Sequence, residues 1–513
     1  MNYKNLGKIL GKILLLEGVL MLAPMIVALI YHEGLQNIAA FAIPGAALII
    51  IGLFSHLLKP RKNTLYQKEG FALTAMVWIL LPLFGAIPFV ISGDIPHFID
   101  AFFEITSGFT TTGASILTDI TAVSHSALFW RSFSHWIGGM GILVFVLIFI
   151  PESEDGSSMH LLRAESPGPQ VGKLVSKMKV TTRILYMIYF GMTVLEVILL
   201  MCDKPIPGYE NKKLFFSLLT AFGCAGTGGF GFIPESMALF HPFSQYVIAI
   251  FLILFGCNFG LYYLILIGKI RTVLRSEEFK SYFLIVAASV LFIFASLVGK
   301  FEAFPQVYTT EESFRHSLFQ VASLITTAGF TTTDYHVWPA EATYTLIVLM
   351  FTGAMAGSTA GGIKISRIVI AVKGVCNHVR RLINPRYVAK TKFEGKIMEE
   401  KTVNDVFSFI TLYFFILIIG TFLLSFDPIN NSAVTILSDA GVYTVKHGFL
   451  SNFSAVLACI SNVGPAFEAV GPYANYAAYS VFSKLFLCFS MILGRLEILP
   501  VLILFSPKTW KRI

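Results

Sequence analysis

Long apolar segments alternate with short polar ones along nearly the whole chain. A helix that crosses a membrane needs about 20 predominantly apolar residues, and ten segments reach or approach that length. A continuous apolar run of this kind leaves no polar face for water, so each segment predicts a membrane-spanning helix. The predicted spans are residues 10–31, 38–58, 71–92, 127–150, 183–202, 243–268, 280–299, 342–373, 404–426 and 476–505.

Four shorter amphipathic stretches lie between these spans. At about 11–14 residues they are too short to cross a bilayer, which favours half-helices that enter the membrane and turn back. They cover residues 100–110, 213–226, 313–326 and 449–460, with Asp100 and Ser313 as predicted N-caps. Each stretch leads into a polar segment that contains glycine. We call these the first to fourth glycine segments: residues 110–114, 226–230, 326–330 and 461–465.

The glycine segments predict an ion filter. Irregular backbone at membrane depth is tolerated only where it is buried in protein or lines a wet cavity. Four such segments around one axis would form a ring of carbonyl oxygens, which can replace the water around a potassium ion. Half-helices ending there add the negative ends of their dipoles. The segments contain no Asp or Glu, which argues against a divalent ion. The alternative is that the glycines only permit close helix packing.

Composition and charge agree with a membrane protein. The chain of 513 residues is 55% hydrophobic and 13% charged, with a net charge of +8. Most basic residues fall in loops on the side of the N-terminus, which predicts cytoplasmic N- and C-termini. The positive charge is therefore explained by topology and membrane lipid, and no nucleic acid is expected as a partner. The basic run at 373–401 stays open as a protein-binding site.

Nothing in the sequence favours an enzyme. The six cysteines have no metal-ligand spacing and are interpreted as small hydrophobic residues. A dinucleotide-like pattern at 226–231 and a phosphate-loop-like stretch at 357–364 both lie in membrane sequence, without the strand that such motifs require. No nucleophile–base pair appears in the spans. Arg131 and His135 are interpreted as anchors at the membrane interface. We expect no catalytic residue and no organic cofactor.

A glycine cluster interrupts the long span at 342–373. Glycine is about 1 kcal/mol less favourable than alanine in a helix, so the cluster should break this span into two halves. We predict a gate here, because the other repeats lack such a cluster; a kinked packing face is the alternative. Arg495 lies near the middle of the last span and is predicted to face the pore, since a mid-membrane arginine is costly elsewhere. The gate residues are Gly353, Gly357, Gly361, Gly362, Lys364 and Arg495.

Several motifs resemble the Trk/Ktr/HKT superfamily of potassium transporters, and its TrkH branch in particular. They are residues 107–115, 326–333 and 462–465, the loop at 160–169, residues 353–367 and the two extra N-terminal spans. The resemblance implies a potassium filter formed by each filter glycine and the two residues before it. Those residues are Thr111, Thr112, Gly113, Thr227, Gly228, Gly229, Thr327, Ala328, Gly329, Asn462, Val463 and Gly464. In plant relatives a serine at the first glycine accompanies sodium transport, so four glycines favour potassium.

The resemblance also implies the architecture and the partners. We expect an all-α polytopic membrane protein in which four helix–pore-loop–helix repeats surround a pseudo-fourfold pore. It would be a homodimer in the bacterial cytoplasmic membrane, controlled by a cytoplasmic nucleotide-binding subunit of the TrkA type. The expected parts are two extra helices (1–68), repeat 1 (69–151), a cytoplasmic loop (152–182), repeat 2 (183–270), repeat 3 with its broken helix (271–375), a basic loop (376–402) and repeat 4 (403–513).

The expected function is potassium uptake through a selective, gated, channel-like pore, with potassium as the permeant ion. A symporter that couples potassium to protons or sodium is the main alternative. A transporter of an organic solute is more remote, because that class would show inverted repeats and a carboxylate near the membrane midplane. Glu104 and Glu196 are the nearest candidates for such a carboxylate.

Overall fold

The structure is a computed structural model that describes residues 3–58, 67–141, 178–298, 308–386, 390–439, 441–504 and 506–507. The end of the predicted span 127–150 and most of the predicted loop 152–182 lie outside the described residues. The helices before that gap are α1 (Tyr3–Leu20), α2 (Leu22–Ile30), α3 (Leu35–Ser55), α4 (Gln67–Gly85), α5 (Ile87–Ser92), α6 (Phe98–Phe109) and α7 (His125–Gly139).

Helices also dominate the rest of the described chain, as the predicted all-α fold requires. They are α8 (Met178–Cys202), α9 (Lys213–Gly226), α10 (Pro242–Phe255), α11 (Phe259–Leu266), α12 (Ile270–Arg275), α13 (Glu277–Val298), α14 (Thr310–Ile325), α15 (Ala340–Thr352), α16 (Ile365–Ile383), α17 (Glu400–Leu424), α18 (Phe449–Ser461), α19 (Val481–Arg495) and α20 (Leu499–Leu504). Single 3₁₀ turns occur at Glu210–Lys212, Tyr335–Val337 and Glu468–Val470.

Two β-hairpins were not predicted from the sequence. The short strands β1 (Lys392–Phe393) and β2 (Lys396–Ile397) pair between α16 and α17. The longer strands β3 (Ala433–Ser438) and β4 (Gly441–Lys446) pair antiparallel between α17 and α18. Their alternating Val, Thr, Ile and Tyr residues are typical of a strand with one covered face, but the stretch is too short to stand out among longer apolar runs.

Among the described residues, fewer helices have the length and composition of a membrane span than the ten apolar segments predicted. Within the described residues, six are long and apolar enough to span a membrane, or seven if α10 and α11, bent by 92° at a short break, count as one. The predicted span 342–373 is divided between α15 and α16, and the last span is divided between α19 and α20. The half-helices α6, α9, α14 and α18 have 12, 14, 16 and 13 residues.

The predicted N-caps at Asp100 and Ser313 are wrong. Asp100 lies inside the first turn of α6, where it forms an ion pair with Lys484 at 2.5 Å. The α14 helix begins three residues earlier than predicted, at a capping box in which the Thr309 hydroxyl accepts from the Glu312 N–H and the Glu312 carboxylate accepts from the Thr309 N–H. The Thr309–Glu312 pair satisfies two otherwise unpaired donors at that helix end.

Close packing of α1 against α3 depends on glycine. A Cβ atom on Gly18 would lie 2.6 Å from the carbonyl oxygen of Gly45, and one on Gly52 would lie 2.7 Å from that of Gly11. Small residues let helix backbones approach in a membrane, where apolar surface gives no extra driving force for association. The two N-terminal helices therefore form a tight pair, and α1 also contacts α4.

Asp427 fixes the beginning of α19, the helix that carries Arg495. Its carboxylate accepts from the Ser480 N–H (3.0 Å) and from the hydroxyls of Ser480 (2.6 Å) and Ser483 (2.5 Å). Burial would raise the pKa of Asp427, but these hydrogen bonds outweigh it and leave the pKa below its usual value. Stability from this carboxylate is therefore present above its unfolded-state pKa and is lost as pH falls through the folded-state pKa.

We predict that Asp427→Asn lowers the free energy of unfolding by about 1.5–3 kcal/mol at pH 7, the range for hydrogen bonds to a charged group. The difference from wild type should shrink below about pH 4, near the ordinary pKa of aspartate. Thermal unfolding in detergent at both pH values would measure it. Asp405→Asn, on the exposed side of α17, is the matched control. A pH-independent difference would contradict the role of the charge.

Candidate ion pathway

The four half-helices end in the same hydrogen-bond pattern. At the end of α6, the Thr111 N–H donates to the Gly108 carbonyl (3.0 Å) and the Thr112 N–H donates to the Ser107 carbonyl (2.9 Å). This 5→2 and 6→1 pairing is a Schellman motif, which turns the chain sharply out of a helix. The same pair of bonds recurs at residues 227 and 228, 327 and 328, and 462 and 463.

A left-handed residue follows each half-helix, and it is not glycine. Thr111, Thr227, Thr327 and Asn462 have φ values between 52° and 58°. Positive φ is rare for a β-branched residue, so the surrounding structure must impose it. Threonine gives no sequence indication of this conformation. The turn therefore lies two residues before the filter glycine of each segment.

The glycines two positions later adopt the same handedness in three segments. Gly113, Gly329 and Gly464 have φ values of 82°, 85° and 93°. Alternating left- and right-handed φ values turn successive peptide planes toward the same side of the chain. Three segments can thus present consecutive carbonyls to one axis.

The four glycines touch one another's segments in a closed cycle. A Cβ on Gly113 would lie 2.8 Å from the Gly229 nitrogen. In the same way a Cβ on Gly229 would overlap the Ala328 carbonyl oxygen, one on Gly329 would overlap that of Val463, and one on Gly464 would overlap that of Thr112. The segments therefore surround one axis in chain order, and the first lies opposite the third. No side chain fits between neighbours.

The second segment departs from the other three. Thr227 has the same positive φ as its counterparts, which aligns Gly229 with Gly113. Gly229 itself does not have a positive φ. A Cβ on Gly228 would instead lie 2.5 Å from Nδ1 of His135. All four segments therefore make equivalent contacts in the ring, but only three of the four glycines share the same backbone conformation.

Polar side chains brace the ring from behind. Asn462 Nδ2 donates to the Thr112 hydroxyl (3.0 Å) and to the Met491 carbonyl (2.9 Å), tying the fourth segment to the first and to α19. His135 Nδ1 lies 2.8 Å from the Gly108 carbonyl oxygen in the last turn of α6. The Oδ1 atom of Asn462 is buried and has no hydrogen-bond partner within the described part of the chain. Below the ring this oxygen can accept from water or contact a cation.

A cavity of about 170 Å³ lies on one side of the ring, and the ends of the half-helices lie on the opposite side. It is lined by residues at and after the glycines of all four segments, among them Gly113, Gly229, Gly329 and Pro465. Near this mouth Asp439 accepts from the Thr333 hydroxyl at 2.9 Å, and Asp334 accepts from Tyr443 on β4. The β3–β4 hairpin is thereby held beside the third segment with two carboxylates, which favours cations at the entrance.

Arg131 and His135 do not lie at the membrane interface, so that interpretation is wrong. The Arg131 side chain is 1% exposed and forms an ion pair with the fully buried Glu104 at 2.7 Å. The Glu104 carboxylate also accepts from the Ile116 N–H (2.9 Å), just after the first segment. Arg131 donates to the Gly231 carbonyl (3.1 Å), just after the second. This pair braces two adjacent segments, and its charges cancel.

The chain between α15 and α16 folds back on itself directly below the ring. This connection consists of residues 353–364, and we call it the 353–364 loop. The Ile363 N–H donates to the Phe351 carbonyl and the Ile365 N–H donates to the Ala354 carbonyl, both at 3.1 Å. Gly353 approaches Gly361 so closely that a Cβ on Gly353 would overlap the Gly361 carbonyl oxygen. Lys364, with φ 74°, ends the loop and precedes α16.

Arg495 extends from the end of α19 to the same place. Its guanidinium donates to the Thr111 hydroxyl (3.3 Å) and to the Thr359 carbonyl (2.8 Å). It also donates to the carbonyls of Gly138 and Gly139, both at 2.5 Å. The arginine therefore joins the first glycine segment to the 353–364 loop and to the end of α7.

A hydrogen-bonded connection crosses the axis below the ring. From the first segment it runs through Arg495 to Thr359 in the loop. Two residues further on, the Gly361 N–H donates to the Thr327 hydroxyl of the third segment at 2.8 Å. Because the first and third segments are opposite, the loop and the arginine together span the axis below the ring.

The second repeat also carries a helix break, which the sequence analysis did not predict. The Met355 N–H donates to the Gly256 carbonyl and the Phe259 N–H donates to the Gly357 carbonyl, both at 3.1 Å. The break between α10 and α11 is thus paired with the loop. Asn258, which caps α11 with its side chain, packs on Gly357. A polar residue inside an apolar span was the sequence feature that could have located this second break.

A charged pair holds the loop on its other side. Arg367 forms an ion pair with Glu497 in the break between α19 and α20, and it donates to the Ile363 carbonyl at 3.2 Å. Glu278 Oε1 accepts from the Ala356 N–H at 2.7 Å. Glu497 lies two residues after Arg495 in the sequence, and it pairs with Arg367 of α16.

Comparison with known proteins agrees with this architecture. The TrkH family model, described as cation transport protein, matches residues 37–512. The Trk system potassium uptake protein TrkH of Salmonella typhimurium is 31% identical, and the alignment covers 100% of both chains. The Trk system potassium uptake protein TrkG of Escherichia coli is also 31% identical, over 98% of this chain and 97% of that one.

A solved structure matches over the same length. The crystal structure of the potassium transporter TrkH from Vibrio parahaemolyticus superimposes with a TM-score of 0.83 at 28% identity, covering 100% of both chains. The family model covers nearly the whole chain and describes transport rather than catalysis. The chain therefore belongs to the TrkH family of cation transport proteins.

Proposed function

We propose that this protein carries potassium across the cytoplasmic membrane, inward, through a selective and gated pore. The observation that carries the proposal is the closed cycle of contacts among Gly113, Gly229, Gly329 and Gly464. Backbone carbonyls around one axis, without carboxylates in the ring, suit a weakly hydrated monovalent cation. The potassium uptake named for the full-length relatives supports the same ion.

The filter residues are those of the four segments, and their backbones act rather than their side chains. Most of their hydroxyl and amide groups have other partners: Thr111 accepts from Arg495, Thr327 accepts from Gly361, and Asn462 Nδ2 donates to Met491. Among the described residues Asn462 Oδ1 has no such partner. Backbone carbonyl oxygens are therefore the main ligands. Dipoles of four half-helices pointing at the ring further stabilise a cation.

The gate consists of the 353–364 loop and Arg495. A cation leaving the ring would meet a guanidinium and a stretch of peptide that is hydrogen-bonded across the axis. Opening must break the contacts of Thr359 and Gly361, and glycines in the loop allow the backbone to move. In this proposal, the arrangement in which both contacts are formed is the closed pore.

Regulation would reach the gate from the β1–β2 hairpin, on the side assigned to the cytoplasm by its basic residues. Glu394 in that hairpin accepts from the Ser276 hydroxyl (2.7 Å) and the Glu278 N–H (3.0 Å) at the start of α13. Glu278 in turn holds the loop at Ala356. A cytoplasmic nucleotide-binding subunit that pulls on the hairpin would thus act on the gate. A homodimer with cytoplasmic termini completes the proposal.

Coupled transport remains a second candidate because of one residue. Glu196 is fully buried in α8, beside Cys224 of the half-helix α9. A carboxyl group inside a membrane span is costly and commonly serves ion or proton movement. A symporter would use such a group, whereas a simple pore would not need it.

The test is cation flux through the purified protein in liposomes, with potassium, rubidium and sodium compared and no proton gradient imposed. Selective potassium and rubidium flux supports the pore. Flux that appears only with a proton or sodium gradient, and that Glu196→Gln abolishes, supports the symporter. Equal flux of sodium and potassium overturns the filter.

Gly113→Ser should lower the selectivity for potassium over sodium by roughly tenfold or more, equivalent to at least about 1.4 kcal/mol. The added side chain would meet the backbone of Gly229 and widen the ring, and the residue has a φ of 82° that serine adopts poorly. Flux ratios in liposomes measure the effect. Gly191→Ser is the control, because a Cβ there has nothing within 4 Å. An unchanged ratio of potassium flux to sodium flux would show that Gly113 is not part of the filter.

Arg495→Met should raise potassium flux roughly tenfold, because hydrogen bonds to a charged group contribute about 1.5–3 kcal/mol each and hold the closed state. Methionine keeps most of the side-chain length without the charge. Shortening the 353–364 loop should act in the same direction. Arg183→Met on the exposed side of α8 is the control. A folded variant with wild-type flux would argue against a role in gating.

Glu394→Ala should reduce the change in flux that an added nucleotide-binding subunit causes, because it breaks the connection to α13. Ion selectivity should stay the same, since Glu394 reaches the ring only indirectly, through Glu278 and the 353–364 loop. Liposome flux with and without the subunit measures both. Glu399→Ala, exposed before α17, is the control. Full stimulation of the Glu394 variant would refute the connection.

A further inference from the structure

A groove lies between α16, the β1–β2 hairpin and the beginning of α17, with a volume of about 660 Å³. We call it the α16–α17 groove. It is remote from the glycine ring: its walls come from residues 374–381, 390–398 and 400–407. Neither the filter nor the gate uses any of these residues.

The groove has a basic rim. Arg381, Lys390 and His378 line it, against a single acidic residue, Glu400. Arg381 and Lys390 are exposed and form no ion pair with any residue that the structure describes. By contrast, the nearby Lys373 is engaged, since it bonds to Glu277 at 2.7 Å. Two cationic side chains thus face the groove without a protein partner.

The groove also has an apolar side. Val403 and Phe407, in the first two turns of α17, form part of its lining. Val375 and Val379 on α16 are 52% and 47% exposed. The α17 helix is one of the six that are long enough to span a membrane, so its first turns lie where headgroups meet acyl chains. The basic side chains are therefore at headgroup level, beside apolar surface.

We propose that the α16–α17 groove binds an anionic phospholipid. Its phosphate would lie between Arg381 and Lys390, and an acyl chain would cover the exposed valines of α16. Basic pockets beside membrane helices on the cytoplasmic face match the charge of such headgroups. A zwitterionic lipid carries an ammonium group that would meet the same two cations, so it fits less well.

Bound lipid would also affect the hydrogen bonds that link the β1–β2 hairpin to α13 and, through it, to the proposed gate. The groove shares the β1–β2 hairpin with Glu394, which holds α13 at Ser276 and Glu278. This consequence rests on the proposed function. Lipid binding does not, because the groove and its charges exist whether or not the ring conducts.

The test is native mass spectrometry of the purified full-length protein with cardiolipin, phosphatidylglycerol and phosphatidylcholine as probes. The variant is Arg381→Gln with Lys390→Gln, and the control is Arg271→Gln with Arg275→Gln, two exposed arginines of α12. Wild type and control should retain the anionic lipids over phosphatidylcholine. The variant should lose that preference by roughly tenfold or more, because it lacks both of the cations that attract the anionic headgroup.

Four results would overturn the proposal. One is equal retention of anionic and zwitterionic lipid by wild type, and another is an unchanged preference in a variant with wild-type thermal stability. The third is displacement of the lipid by millimolar inorganic phosphate, which would make the groove a site for free phosphate. A variant that keeps its lipid but no longer binds the nucleotide-binding subunit would also exclude the lipid site, in favour of a protein contact.

Discussion

Direct contact between the backbones of neighbouring glycine segments is the constraint on which the rest of the structure depends. Each glycine leaves no room for a Cβ between its segment and the next, and the four contacts close into a cycle. Irregular backbone at this depth would otherwise expose unpaired peptide groups. The half-helices supply the approach to this point, and the longer helices surround it. The Schellman endings then direct all four chains into the ring with the same geometry.

Buried charge is arranged to leave the ring itself neutral. Glu104 and Arg131 neutralise each other while bracing two segments, and Glu497 and Arg367 do so beneath the loop. Removing one partner of a buried ion pair is strongly destabilising, because the charge of the other partner is then uncompensated. Arg495 donates to carbonyl and hydroxyl oxygens of the first segment, the 353–364 loop and the end of α7. Its guanidinium therefore lies close to the axis, where the proposed function needs a group that opposes a cation.

Periodicity and glycine spacing predicted the helices and the position of the ring, because apolar length and missing side chains are visible in the sequence. Other features depend on tertiary contacts that no local pattern records. The positive φ of Thr111 and Thr327 is imposed by packing, and the burial of Arg131 depends on Glu104 from another helix. The break at Gly256–Asn258 was missed because a single asparagine is a weak interruption of an apolar span. The predicted N-cap at Ser313 failed because Thr309 offers a complete capping box.

The filter and the gate use symmetry in opposite ways. A ring of equivalent carbonyls requires four segments that adopt the same turn, and the left-handed residues at 111, 227, 327 and 462 provide it. A fourfold arrangement below that ring would leave the axis open, because no element could cross the centre without meeting its own copies. The crossing is made by one loop from the third repeat, one arginine from the fourth and one broken helix from the second. Each has no equivalent contact in the other repeats that the structure describes. Divergence among the repeats is therefore what would permit the proposed pore to close.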